Sequence, residues 1–561
     1  MPLPRLSWYT LGFKPLTRLL SLNAFVLAIL VLSVFPVIDA ANVYYEFNVT
    51  YGFRSPDCCQ RSMLLVNGGS PGPTIFAAQG DKLVITVNNH MESDVTTVHW
   101  HGIEQHGTPH MDGTPFVSQD PIFPGQSFVY RMNLDDQVGT YWYHAHVSLQ
   151  SNTVFGAIII RESNKENTRT QAGVHYDDER LLMISDLFRR AEPDMTTGIV
   201  NETFNWIGDP ASILTNGKTF GDWANGSTTP ATQCAIPKPG TCSYSKIDVE
   251  PGKTYRLRII GATSLSYLSF SIANHNMTLI EADGSMIEPV QITNLEVNSG
   301  QRYSVLVTMD QTPQNYAIHA SPKWRPFQAS NGISILHYSS IPEPELNQTI
   351  TNGIPTHPSE SPNWILPKIQ MKKKQPINSY HYKFPRRISR ELTLTATQQP
   401  VDTTVKWFVN GISSETPSVT LLTHPWATSA EHSVPVIKLR TGEVVQLVFQ
   451  NTVAANGICE QHPWHLHGRS FYDLGYGPGD YNTTSVKDRN TFLDTNNPVL
   501  RDTTTVFPSE NAYFQPKTLK PGDKCGWRVI RFKADNPGFW LLHCHITTHM
   551  MMGMQVIFQI S

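Results

Sequence analysis

Ten of the 21 histidines fall in four short clusters. These are His99-Trp100-His101, His144-Ala145-His146, His462-Pro463-Trp464-His465-Leu466-His467, and His543-Cys544-His545 with His549. In an extended strand, residues i and i+2 point to the same face. Each His-x-His pair therefore projects two imidazoles side by side, about 6–7 Å apart. That spacing suits two ligands of one metal, or of neighbouring metals. Imidazoles with one thiolate and a thioether fit copper or zinc rather than magnesium or calcium. A structural zinc site takes only four ligands, usually with several cysteines. In His543-Cys544-His545 the histidines face one side of the strand and Cys544 the other, so the thiol can serve one metal while its neighbours serve a second cluster. A thiolate, two histidines and a weak axial methionine make a blue-copper electron-transfer site. Cys544, His549, Met554 and the upstream His462 are its candidates.

Strands must position these groups, and the chain supplies them three times over. An alternating strand after a turn glycine appears at Gly80–Val87, returns at Gly252–Ile259, and again at Gly442–Phe449. Period-two alternation behind a turn residue marks a half-buried strand. A closing phrase reads Gly139-Thr140-Tyr141-Trp142-Tyr143-His144-Ala145-His146 in the first unit and Gly538-Phe539-Trp540-Leu541-Leu542-His543-Cys544-His545 in the last. The middle unit has only Asn315-Tyr316-Ala317-Ile318-His319 and lacks the paired histidines. The predicted class is all-β, as stacked sandwiches. The predicted boundaries are 41–163, 164–340 and 377–561, with a proline-rich linker at 341–376. No strong amphipathic helix longer than two or three turns is predicted.

Composition narrows the function class. The formal net charge is −3, which argues against a nucleic-acid partner. Charged residues are 16%, well under the usual share, so something other than charge must keep the surface soluble. Arg5, Lys14 and Arg18 precede an apolar run from Leu22 to Ile38, and Ala40 offers a small residue for cleavage. Residues 1–40 read as a secretory signal, with an uncleaved signal-anchor as the alternative. No second stretch can span a membrane, so no stable span is expected after cleavage. Six N-x-Ser/Thr sequons follow, at Asn48, Asn201, Asn225, Asn276, Asn347 and Asn482. A secreted glycoprotein is the expectation. Seven cysteines then leave one unpaired in an oxidising compartment. Cys544 is that one. Cys58, Cys59, Cys234, Cys242, Cys459 and Cys525 remain, with fifteen pairings open.

The four clusters, in this order and spacing, resemble the four copper-binding motifs of the three-domain multicopper oxidases. The resemblance covers nearly all of the mature chain. It implies three consecutive cupredoxin-like Greek-key β-sandwich domains and four copper ions. Type 1 copper would take His462, Cys544, His549 and Met554. Type 2 copper would take His99 and His465. The type 3 pair would take His101, His144, His146, His467, His543 and His545. The implied partners are O2 and a small-molecule electron donor, with electrons passing along Cys544 into its flanking histidines and O2 reduced to water. A homodimer is left open. Asp112 matches a carboxylate associated with the cluster in the family, whereas Thr547 stands where many members have an acid. Cys58 and Cys242 match a pair that bridges the first two domains in the family, so Cys58 and Cys59 are expected to link to Cys234 and Cys242, with the exact pairing open. Cys459 and Cys525 look like a private pair in domain three. Asp120 replaces a usual cysteine.

The donor must be read outside the copper motifs. Trp206-Ile207-Gly208-Asp209-Pro210 and Val405-Lys406-Trp407 are similar to the ascorbate oxidase segments that supply two substrate-pocket tryptophans. Met554 agrees, because an axial thioether lowers the copper potential and suits an easily oxidised donor. The expected reading is an L-ascorbate oxidase in which Trp206 and Trp407 flank a shallow pocket and His549 presents its outer ring edge to the donor. A laccase acting on phenols or aromatic amines is the alternative. A ferroxidase or a catalytically silent cell-surface protein is disfavoured.

Overall fold

The computed structural model describes residues 41–134, 137–162, 170–201, 203–220, 243–323, 332–344, 369–372, 383–427, 434–508 and 519–561. The signal, most of the linker, Asn225, Asn347, Cys234 and Cys242 lie outside the described residues.

Three β-sandwiches follow one another along the chain. The repeated alternating phrase forms strands Lys82–Asn89, Thr254–Gly261 and Glu443–Thr452. Each pairs in parallel with the first long strand of its own sandwich, which is Asn42–Arg54, Asp178–Leu187 or Arg390–Val401. Each also pairs antiparallel with a later strand, Ser127–Asn133, Arg302–Thr308 or Lys524–Ala534. The closing phrases form Gly139–Ala145, Asn315–Pro322 and Gly538–Cys544, each central in its domain's second sheet. The three domains thus share one central pairing pattern, carried on two four-stranded sheets in the first and on a six-stranded and a five-stranded sheet in each of the others.

Alternation fills the cores. Phe47, Val49, Leu83, Ile85 and Val87 pack inside the first domain. Leu257, Ile259, Val305 and Val307 fill the second, and Leu447, Phe449, Ile530 and Phe532 the third. Trp100, between His99 and His101, and Trp464, just before His465, point into the first and third cores. Losing one such indole costs about 3–5 kcal/mol, so the same strands that present the histidines are heavily anchored. The middle domain's matching strand, Leu268–Ile272, carries Ser269 and Ser271 instead of histidines.

The described helices are short: Glu192–Val200, Val486–Phe492 and Thr547–Met551. The last one brings His549 round to the strand that bears Cys544. Asn201, Asn276 and Asn482 are exposed, and Asn48 is half-buried on the first strand. Cys459 and Cys525 form a disulfide, and Cys544 is free. Cys58 and Cys59 are both disulfide-bonded. Asp120, where the family has a cysteine, accepts a hydrogen bond from the Thr420 hydroxyl, so the first and third domains are tied there by a polar contact.

Candidate metal centre

Register explains how the histidines converge. Strands Val98–His101 and Gly139–Ala145 are antiparallel neighbours, with His99 opposite His144. In the third domain His465 lies opposite His543, and Trp464 opposite Cys544. On strand His462–Leu466, His465 takes the face opposite to His462 and Trp464. His543 and His545 likewise flank Cys544 on the far side from it. One pair of strands therefore serves two sites back to back.

The first site is small and lies within the third domain. Cys544 Sγ lies 3.7 Å from His462 Nδ1 and 3.8 Å from His549 Nδ1, and the two nitrogens are 3.2 Å apart. The Met554 amide donates to the His549 carbonyl at 3.0 Å, and the Cys544 amide donates to the Met554 carbonyl at 3.0 Å. The side chains of all four are buried. Burial pushes the Cys544 thiol up, so a thiolate here needs a cation.

The second site joins the first and third domains. His99 Nε2 faces His465 Nε2 at 3.3 Å. His467 Nε2 faces His543 Nε2 at 3.2 Å, and His101 Nδ1 faces His545 Nε2 at 3.2 Å. His144 and His146 close the cluster, and neither Nε2 has a hydrogen-bond partner among the described residues. Burial, followed by neighbouring imidazoles, holds His101, His144, His146, His465, His467 and His545 far below the usual histidine range. Burial also brings His543 down to about 4. Neutral rings put lone pair against lone pair at these distances. That arrangement suits soft or borderline cations held between them, and the donor set fits copper.

The outward ring nitrogens are tied down. His99 Nδ1 meets the Asp112 carbonyl at 2.7 Å, and His467 Nδ1 meets the Asp112 carboxylate at 2.9 Å. The Thr114 hydroxyl donates to the same carboxylate at 2.7 Å. Next to it, Gly113 has φ +86°, and a Cβ there would sit 1.9 Å from the Val98 carbonyl oxygen, so only glycine fits. Asp502 does for the third domain what Asp112 does for the first. Its carbonyl meets His465 Nδ1 at 2.8 Å, and its carboxylate meets His101 Nε2 at 3.1 Å. Each aspartate holds one histidine of its own domain and one of the other. Sequence reading found Asp112 and missed Asp502. No local motif marks Asp502, although Leu500-Arg501-Asp502-Thr503 breaks an apolar strand with two charges.

The donor side differs from expectation in exposure. Trp407 is 0% exposed; its ring lies edge-on to His462 at 4.8 Å and 5.1 Å from His549. It walls the site from within rather than flanking an open pocket. Trp206 is half-buried and sits 6.4 Å from the His549 ring. His549 itself is only 1% exposed, and its Nε2 faces Glu460 Oε2 at 3.2 Å. Glu460 was not singled out by the sequence. It stands two residues before His462, and only the fold brings it to His549. Thr547 is buried; its amide donates to the Ser264 carbonyl at 3.0 Å and its hydroxyl lies 3.4 Å from that of Ser151.

Known proteins agree with this geometry. Family profiles described as multicopper oxidase match residues 48–165, 178–340, 411–524 and 523–561. The chain is 33% identical to an L-ascorbate oxidase of Cucumis sativus, over 92% of this chain and 88% of that one. It is 32% identical to laccase-like multicopper oxidase 1 of Thermothelomyces thermophilus, over 90% and 85%. Among solved structures, the laccase of Botrytis aclada superposes with a TM-score of 0.72 at 27% identity, covering 93% of this chain and 88% of that one. Profile coverage, identity and the paired histidine strands concur, and the chain belongs to the multicopper oxidase family.

Proposed function

We propose that the chain oxidises L-ascorbate one electron at a time and reduces O2 to water, with four copper ions held by the two sites. The carrying observation is the Cys544 strand. Cys544 belongs to the trio with His462 and His549, and it is covalently continuous with His543 and His545 of the cluster. Bound copper supplies one-electron redox chemistry at both ends of that connection.

The chain's own groups have separate tasks. Cys544, His462, His549 and Met554 are assigned to type 1 copper, His99 and His465 to type 2, and the remaining six cluster histidines to type 3. Burial disfavours the protonated ring at His101, His144, His146, His465, His467, His543 and His545. Asp112 fixes the tautomers of His99 and His467 by accepting their Nδ1 protons. A cavity of about 450 Å3 between the domains is lined by Thr114, Val117, His146, Leu541 and Met552, and we assign it to the passage of O2. Donor contact is assigned to Trp206 over His549, with Trp407 holding the rings of His462 and His549 from behind. Similarity to L-ascorbate oxidases supports this donor. Glu460 favours a second reading, an aromatic donor whose hydroxyl or amine donates to the carboxylate beside His549. The signal and sequons support secretion, and no helix among the described residues is long and apolar enough to cross a membrane.

Oxygen uptake with ascorbate, a phenol and ferrous iron separates the readings. Ascorbate should give the highest kcat/KM. A phenol ahead by tenfold or more would make the chain a laccase.

A further inference from the structure

The middle domain offers no histidine to either site, yet one of its turns presses on the cluster. Ser299 Oγ lies 2.8 Å from His545 Nδ1. Gly300 has φ +83°, and a Cβ there would fall 2.9 Å from His101 Cε1 and 3.0 Å from His545 Cδ2. Arg302 sends Nη1 and Nη2 to the two Asp502 oxygens, at 2.5 and 2.6 Å. Arg302 is itself fixed: its Nε donates to the Thr140 carbonyl at 3.1 Å, its backbone amide donates to Asp283 Oδ1 at 2.8 Å, and its guanidinium lies over the Tyr141 ring. Arg302 and Asp502 are both buried.

His101 is the odd ring of the cluster. His99, His465, His467, His543 and His545 turn Nδ1 outward to a hydrogen-bond partner, whereas His101 turns Nε2 outward and Nδ1 in. Among the described residues the one carboxylate at His101 Nε2 is that of Asp502, whose oxygens are aimed by Arg302, and the Thr503 hydroxyl lies beside it at 3.1 Å.

We propose that the Arg302–Asp502 pair is a positioning device that holds His101 with Nδ1 toward the cluster, so that the ligand-free middle domain controls retention of copper by the His101–His545 pair. Asp502 accepts the Nε2 proton, which leaves the Nδ1 lone pair facing His545 Nε2. A carboxylate held bidentately cannot rotate away from that proton. Ser299 does the same for His545 from the next residue but two along the turn. Outer partners of metal-bound histidines commonly change metal affinity by roughly 10- to 100-fold. The proposal rests on assigning His101 and His545 to copper.

The test uses the copper-loaded full chain, with copper per chain counted by native mass spectrometry during exposure to a chelator. Asp502→Leu alone strands a buried guanidinium and endangers folding. The double variant Asp502→Leu/Arg302→Met removes both charges together and takes the carboxylate from His101 Nε2, leaving that nitrogen only the Thr503 hydroxyl at 3.1 Å. Asp502→Asn keeps an acceptor oxygen. The double variant should keep its blue absorption and lose cluster copper roughly 10- to 100-fold more readily than wild type. Asp502→Asn should hold copper nearly as wild type does. A double variant that retains all its copper overturns the proposal. So does one that loses blue absorption in step with cluster copper, or an Asp502→Asn variant no better than the double. A wild-type count below four overturns the assignment beneath it, and is read before any variant is made.

Discussion

The Cys544 site and the histidine cluster share two strands but differ in what holds them. At Cys544 every candidate donor comes from the third domain, and main-chain hydrogen bonds among Cys544, His549 and Met554 set the spacing. At the cluster the rings come from two domains, and their outer nitrogens are held by groups from all three, including Ser299. A site within one fold survives when domains shift. A site between folds depends on every contact that fixes their docking.

The sharpest break in that comparison is Cys544→Ser. It should abolish blue absorption and donor-driven oxygen uptake, while the cluster keeps its copper. Optical spectra with copper counting check it, and a variant that stays blue would remove the type 1 assignment. Next in size is the Cys459–Cys525 disulfide, which spans a sequence separation of 66. Removing both cysteines should cost about 4 kcal/mol by loop-closure entropy, read from denaturant midpoints. Because Cys459 neighbours Glu460, the Cys544 site should loosen before the cluster does.

Acid should act on the cluster. His543 has a folded pKa of about 4 against an ordinary value of 6.5. The folded copper-free chain therefore binds fewer protons than the unfolded chain between those values. Its stability is full above pH 6.5 and falls as pH drops toward 4, by roughly 3 kcal/mol from this ring alone. Thermal unfolding across that range checks it, and a flat profile would refute the burial argument. Asp112→Ala should weaken cluster copper by roughly 10- to 100-fold and leave blue absorption intact. Equal loss at both sites would erase the distinction drawn above. The smallest effect is expected at Trp206→Ala, which should raise KM for ascorbate a few-fold with kcat little changed, the mark of lost uniform binding.

How much of this was legible beforehand differs residue by residue. Period-two alternation is local, so the sequence alone determined that His99 and His101 share a strand, that His543 and His545 face away from Cys544, and that one strand pattern repeats three times. The same locality showed that the middle unit lacks paired histidines. It could not show that Ser299 and Arg302 of that unit reach the cluster, because those contacts join residues hundreds of positions apart. Nor could it place Glu460 at His549, bury Trp407, or pair Asp502 with His101. Which residues face one way along a strand is fixed by backbone geometry, which every residue carries with it. Which strands meet, and what their outward atoms then touch, is decided only when the three sandwiches pack together.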